Sequence, residues 1–130
     1  MKKDDLNDNM LVILQKAADI VEKGWTQKTS ARDADGNKVY PFGEEGVSFC
    51  ATGAIQKAVS VVSGGDMHPI DAEMLISTCW AKLSYHLGYK KDDVGGLYEF
   101  LGHWNDQEGR TKEEVSDAMR KASLREVELA

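Results

Sequence analysis

The sequence predicts a mainly α domain, a compact bundle of four to five helices with one small β-hairpin near residues 30-40. Three observations lead there. Apolar residues recur at the three- and four-residue steps of a helix face near both ends of the chain. Helix punctuation sits between the apolar runs, with Gly24 and Gly88 as stops, Pro69 as a start and a Thr111–Glu114 pair as a cap. Only one stretch, "SARDADGNKVY", carries the turn chemistry of a hairpin.

The first helix is expected from about Leu6 to Lys23. Met10, Ile13, Leu14, Ala17 and Val21 share one face. Asp and Asn ahead of it cap the free amides, and Gly24 ends it in a backbone conformation costly to other residues. In the hairpin, Asp35-Gly36 supplies positive φ angles and Pro41 closes the second arm, since it cannot donate to a ladder. Ser48 is expected to cap a second helix, Phe49 to about Ser63. There Cys50, Ala54, Ala58 and Val62 fall at four-residue steps, and Gly53 keeps the helix slim for a close neighbour. A third helix begins at Pro69, whose missing N–H is not needed in a first turn, and runs to about Leu87. The glycine-rich "DDVGGLYEFLGHWND" reads as a short helix passing into a loop. Thr111 and Glu114 form a capping box that opens the last helix, with Val115, Ala118, Met119 and Ala122 facing inward.

With 130 residues, 42% hydrophobic and 29% charged, the chain reads as a single globular domain over 1-130. Its apolar runs, "MLVIL" and "AVSVV", are far shorter than the ~20 residues that cross a bilayer. The beginning "MKKDDLNDN" has no apolar signal core, so a cytoplasmic location is expected. The net charge of −6, with basic residues interleaved among acids, disfavours nucleic acid as a partner. In that compartment Cys50 and Cys79 are expected to be reduced and buried.

Several motifs follow one another along the chain. Trp25 precedes a polar loop with Asp35-Gly36. Then come "FCATGAI" at Phe49 to Ile55, "WND" at Trp104 to Asp106, and "RTKEEV" at Arg110 to Val115. In their order and spacing these resemble a family of small bacterial and phage proteins, a domain of unknown function. The family often places Cys directly after the first Trp, where this chain has Thr26, and Trp before the second Cys, where this chain has Phe49. The resemblance implies the extent of the domain from Trp25 onward and a phage or mobile-element origin. It implies no activity.

Two of these motifs contain reactive residue types. Cys50 falls at the expected start of a helix, where free amides and the helix dipole stabilise a thiolate. A thiol hydrolase or transferase would use it as nucleophile, with His103 as base and Asn105 or Asp106 as orienter. His86 and His68 are other possible bases. The plainer reading makes Cys50 a small buried hydrophobe beneath Phe49. Likewise "WNDQEGRT" has a structural account: Asn105 and Asp106 bond amides in a turn, Arg110 pairs with Asp106, and Thr111 caps the next helix. Trp104 plugs the core, with its indole N–H on a carbonyl. A third reading is a ligand pocket walled by Trp25, Phe49, Cys50 and Trp104, with Arg110 as anion anchor.

"DADGN" places Asp33, Asp35 and Asn37 at alternate positions, but its glycine comes one position too early for a calcium loop, so a turn is expected. The histidines lack zinc spacing, and neither glycine pair is followed by the Lys-Ser/Thr of a phosphate loop. No metal and no cofactor is expected. The leading expectation is a small cytosolic accessory protein that binds another protein, in one form a phage-encoded chain acting on a host protein. Exposed acids such as Asp92, Asp93, Glu113, Glu114 and Asp117 would lie at or near the contact. The cysteine enzyme and the ligand-binding domain are the alternatives.

Overall fold

Helix α1 spans Lys3–Lys23 in the computed structural model, which describes residues 3–90 and 95–125, with side chains from residue 8 onward. Met10, Ile13, Leu14, Ala17 and Val21 are at most 2% exposed, the inward face their spacing predicts. The helix starts earlier than the expected Leu6. It stops at Gly24, whose amide still bonds Ile20 and Val21 carbonyls at 3.2 and 3.1 Å. Gly24 is absent from the positive-φ positions. Its role is different from the expected left-handed stop: a Cβ there would collide with the backbone oxygen of Val47.

The Asp-Gly turn is present. Gly36 has φ +85° and donates to the Asp33 carbonyl at 3.0 Å. However, its arms meet through a single Arg32–Lys38 bridge, made by the Asp33-to-Asn37 and Val39-to-Ala31 bonds of 2.9 and 3.1 Å. The two-stranded antiparallel sheet instead pairs β1 (Ala31–Arg32) with β2 (Ser48–Phe49), with Ala31 opposite Phe49. Trp25 adds a parallel bridge to Phe49. Because Ser48 and Phe49 are in a strand, neither starts the next helix. Helix α2 runs Ala51–Ser63, and Cys50, not Ser48, is its N-cap.

Helix α3 (Pro69–His86) has proline in its first turn, and His68 Nδ1 accepts the Ile70 amide at 3.2 Å. Gly88, at φ +98°, follows its end. Helix α4 (Leu97–Asp106) is longer than expected and includes Trp104, Asn105 and Asp106. The reason is spacing: Leu101 and Asn105 are four apart and both fully buried, so one helical face carries them together. Helix α5 (Lys112–Ser123) opens on the expected box, in which Thr111 N donates to Glu114 at 3.0 Å and Glu114 N donates back to Thr111 at 3.1 Å.

α1 packs against α2 and α5, and α3 closes over α2, α4 and α5. Arg120 of α5 ties down α1 by donating to Gln15, Asp19 and Glu22 at 2.6, 2.8 and 2.9 Å. Among the described residues no helix is long and apolar enough to cross a membrane.

Gly53 and Gly102 form a natural comparison. Both are helical, but a Cβ on Gly53 would strike the Ser30 carbonyl, while one on Gly102 meets nothing within 4 Å. Gly102→Ala should therefore stabilise by about 0.5–1 kcal/mol through helix propensity. Gly53→Ala should destabilise by about 2 kcal/mol or more, as overpacking does. Urea unfolding midpoints of the two variants check the opposite signs.

Candidate functional site

The cysteine motif and the Trp-Asn-Asp motif meet through one side chain. Asn105 is completely buried near the end of α4. Its Oδ1 accepts the Trp25 indole N–H at 2.8 Å and the Ala51 backbone N–H at 3.0 Å. Its Nδ2 donates to the Thr26 carbonyl at 3.1 Å and to Asp106 Oδ1 at 3.0 Å. These four bonds use the full capacity of a primary amide. Around them, Asp106 Oδ1 also accepts the Lys28 N–H at 2.9 Å, and Gln27 Nε2 donates to the Asn105 and Gln107 carbonyls at 2.9 and 3.2 Å. Lys28 has φ +74°, a left-handed conformation that a non-glycine residue adopts at a cost.

Two of the three free amides at the start of α2 are consequently taken from within. The Ala51 amide goes to Asn105, the Gly53 amide to Cys50 Sγ at 3.4 Å, and the Ala54 amide to the Cys50 carbonyl at 2.8 Å. Cys50 Sγ also lies 3.1 Å from Thr52 Oγ1. At 6% exposure, Cys50 is buried, and both cysteines are free thiols. Burial pushes the Cys79 thiol from 9.0 up to about 12, with Lys82 opposing the rise.

His103 is exposed on α4. It stands two positions before Asn105, about 200° around the helix. The structure thus joins Asn105 with the cysteine's helix start and leaves His103 on another face. His68 is an exposed helix cap. His86 has a buried Nδ1 without a bonding partner, and its pKa is lowered by burial first and then by Arg125 and Lys121.

Of the proposed pocket walls, Trp25 and Phe49 belong to the packed core and its margin. Arg110 lies over the Trp104 ring, 4.1 Å from its centroid. It does not pair with Asp106. Its three nitrogens donate to the Trp104 carbonyl, Glu114 and Gln107 at 2.9, 3.1 and 2.6 Å. The Thr111 backbone N–H is the main reason why the Glu114 carboxyl titrates lower than usual. The calcium-like "DADGN" forms a turn in which Asp33 Oδ1 accepts the Asp35 and Asn37 amides at 3.0 and 2.9 Å.

Sequence reasoning missed Thr26, Gln27 and Lys28, which take part chiefly through a carbonyl, an amide side chain and a backbone N–H. Residue types carry no signal for backbone partners. It also did not anticipate Glu22, Ser116 and Arg120, which with Glu113, Glu114 and Asp117 line an open groove of about 490 Å³ where α1 meets α5. The other acids expected at a contact, Asp92 and Asp93, lie outside the described residues.

Fold and site together define a small helical domain whose two sequence motifs are locked by a buried asparagine. It belongs to the family of unknown function DUF6197, which matches residues 7–125. Comparison with curated proteins and with solved structures gave no match. Thr26 offers Asn105 a carbonyl and holds Arg32 Nε with its hydroxyl at 2.9 Å, while Phe49 is buried in β2 and its carbonyl accepts the Thr26 N–H at 3.1 Å.

Asn105→Ala should cost about 3 kcal/mol or more, because it strands the Trp25 and Ala51 donors in a buried site. Trp25→Phe should cost less, since Asn105 Oδ1 keeps the Ala51 amide. Chemical denaturation of both variants, read by far-UV circular dichroism, sets that order.

The Cys79 thiol supplies a pH test. Its folded pKa lies above its unfolded value, so its contribution is full below pH 9 and is lost as pH rises toward about 12. Wild type should lose up to about 1.4 kcal/mol per pH unit from this group across that window. Cys79→Ala should lack that component, and the difference between their stability–pH curves measures it.

Proposed function

We propose that the protein acts by binding another protein, covering a basic surface of its partner with the acidic face where α1 meets α5. For a phage- or mobile-element-encoded chain in the cytoplasm, that partner is a host protein. The observation carrying the reading is the groove there. Glu22, Glu113, Glu114 and Asp117 line it with Arg120, whose guanidinium is already bonded to Asp19 and Glu22. The chain as a whole carries a net formal charge of the same sign, −6. Such a field speeds the approach of a cationic surface and repels phosphate backbones.

The chemically capable side chains support the same reading. Cys50 caps a helix and Asn105 has no bonding capacity left, while Arg110 spends three of its five N–H groups on internal acceptors. A nucleophile or an anion anchor needs a free lone pair or a free donor facing a substrate. Glu113 and Asp117 are both exposed on α5 and one turn apart, Asp117 already paired with Lys121 at 2.9 Å, and they are the positions to alter.

The test is capture from a bacterial lysate on the immobilised chain, at low and high salt. A bound protein should elute as salt screens the contact. Retention should drop about tenfold or more for the double variant Glu113→Lys, Asp117→Lys, which leaves the core untouched. No retained protein, or equal retention by the variant, would count against the reading.

A further inference from the structure

Helix α3 is apolar on two opposite sides. Leu75, Ile76, Cys79 and Leu83 enter the core. On the other side Ile70, Met74 and Tyr85 are 61%, 63% and 50% exposed, and helical spacing aligns them with Ser77 and Ala81 in one stripe. A helix that faces water on its outer side usually places charged residues there. We propose that this stripe is the interface of an antiparallel homodimer, in which α3 of one chain lies against α3 of a second copy.

Self-complementarity identifies the occupant. A two-fold contact needs one patch that fits its own reversed image. With the axis passing between Ser77 and Thr78, Ile70 comes level with the partner's Tyr85, and Met74 with the partner's Ala81. A large side chain thus sits at each outer level, with a smaller one across from Met74. Serine and threonine fall at the crossing, where small side chains let the helices approach.

Charge selects the same orientation. Asp71 and Lys82 lie on one flank of the stripe, about three helical turns apart. Reversing the second helix brings Asp71 beside the partner's Lys82, whereas parallel helices would set this flank against the partner's opposite one, which carries Glu73 and Trp80. Lys82 already donates to the Ser123 carbonyl at 3.2 Å, which leaves two of its three N–H groups for a carboxylate. On the opposite flank the ring pair of Trp80 and Tyr98, 5.5 Å between centroids, widens the apolar surface. Two helices of this length form an interface at the small end of the stable range, so the dimer dissociates on the order of micromolar concentrations. The acidic groove lies on α1 and α5, so this assembly stands independently of that reading.

Sedimentation of the full chain over a concentration series tests the proposal. A monomer–dimer equilibrium is expected, and Met74→Glu should weaken it by about tenfold or more at an exposed site, with an unchanged melting curve. Orientation is read by disulfide trapping, with the buried Cys50 and Cys79 as a silent background. Ser77→Cys chains should crosslink to each other. Mixed Ile70→Cys and Tyr85→Cys chains should crosslink faster than either alone. A chain that stays monomeric up to about 1 mM, a dimer indifferent to Met74→Glu, or Ile70→Cys chains that pair among themselves equally fast would each overturn it.

Discussion

The structure around the two motifs depends on burying one primary amide. A polar group removed from water without partners costs several kcal/mol, so Asn105 tolerates only an arrangement that supplies all four of its bonds. Those partners come from three separate parts of the chain: the segment after α1, the start of α2 and the end of α4. Each must be placed within a few tenths of an ångström. The neighbouring close contacts serve that placement. Gly24 lets the Val47 backbone approach, and Gly53 lets the Ser30 backbone lie on the first turn of α2.

This arrangement explains why reactive residue types surround a site with so little free chemistry. A helix start offers amides to any electron-rich atom, and here Cys50 Sγ and Asn105 Oδ1 take them. Sulfur is a weaker acceptor than the oxygen of serine or aspartate, so the cap contributes less than the usual one and gains apolar burial instead. Arg110 is organised in the same way. Its planar face covers Trp104 while its edge bonds three oxygens, so one residue fastens the end of α4 to the beginning of α5.

Most of the fold was legible in the sequence, for reasons that differ by element. The apolar face of α1 and the capping box of α5 are repeating or local patterns, and such signals survive without tertiary context. Two boundaries were misplaced because tertiary bonds decided them. Phe49 reads as the first helical residue after a Ser48 cap, but pairing with Ala31 and Trp25 draws it into a strand and hands the cap to Cys50. The Trp-Asn-Asp segment reads as the loop after a short helix because three glycines weaken the helical pattern and Asn and Asp suit a turn. Its partners lie up to 80 positions away and could not be seen. The bundle with its small sheet was therefore visible in the sequence, whereas the lock between the motifs was not.

The separation of those partners also bears on the order in which the chain folds. Helices form from neighbours in sequence, and α1 with α2 needs only a modest loop to close. The lock around Asn105 joins residues 25, 51 and 105, so it must wait until α4 has docked and the intervening chain has lost its freedom. Topology thus makes the buried asparagine a late arrival. Interactions made late are those that hold back unfolding more than they hasten folding. For this small helical chain the amide acts as a brake on opening, and the lifetime of the folded state depends on it.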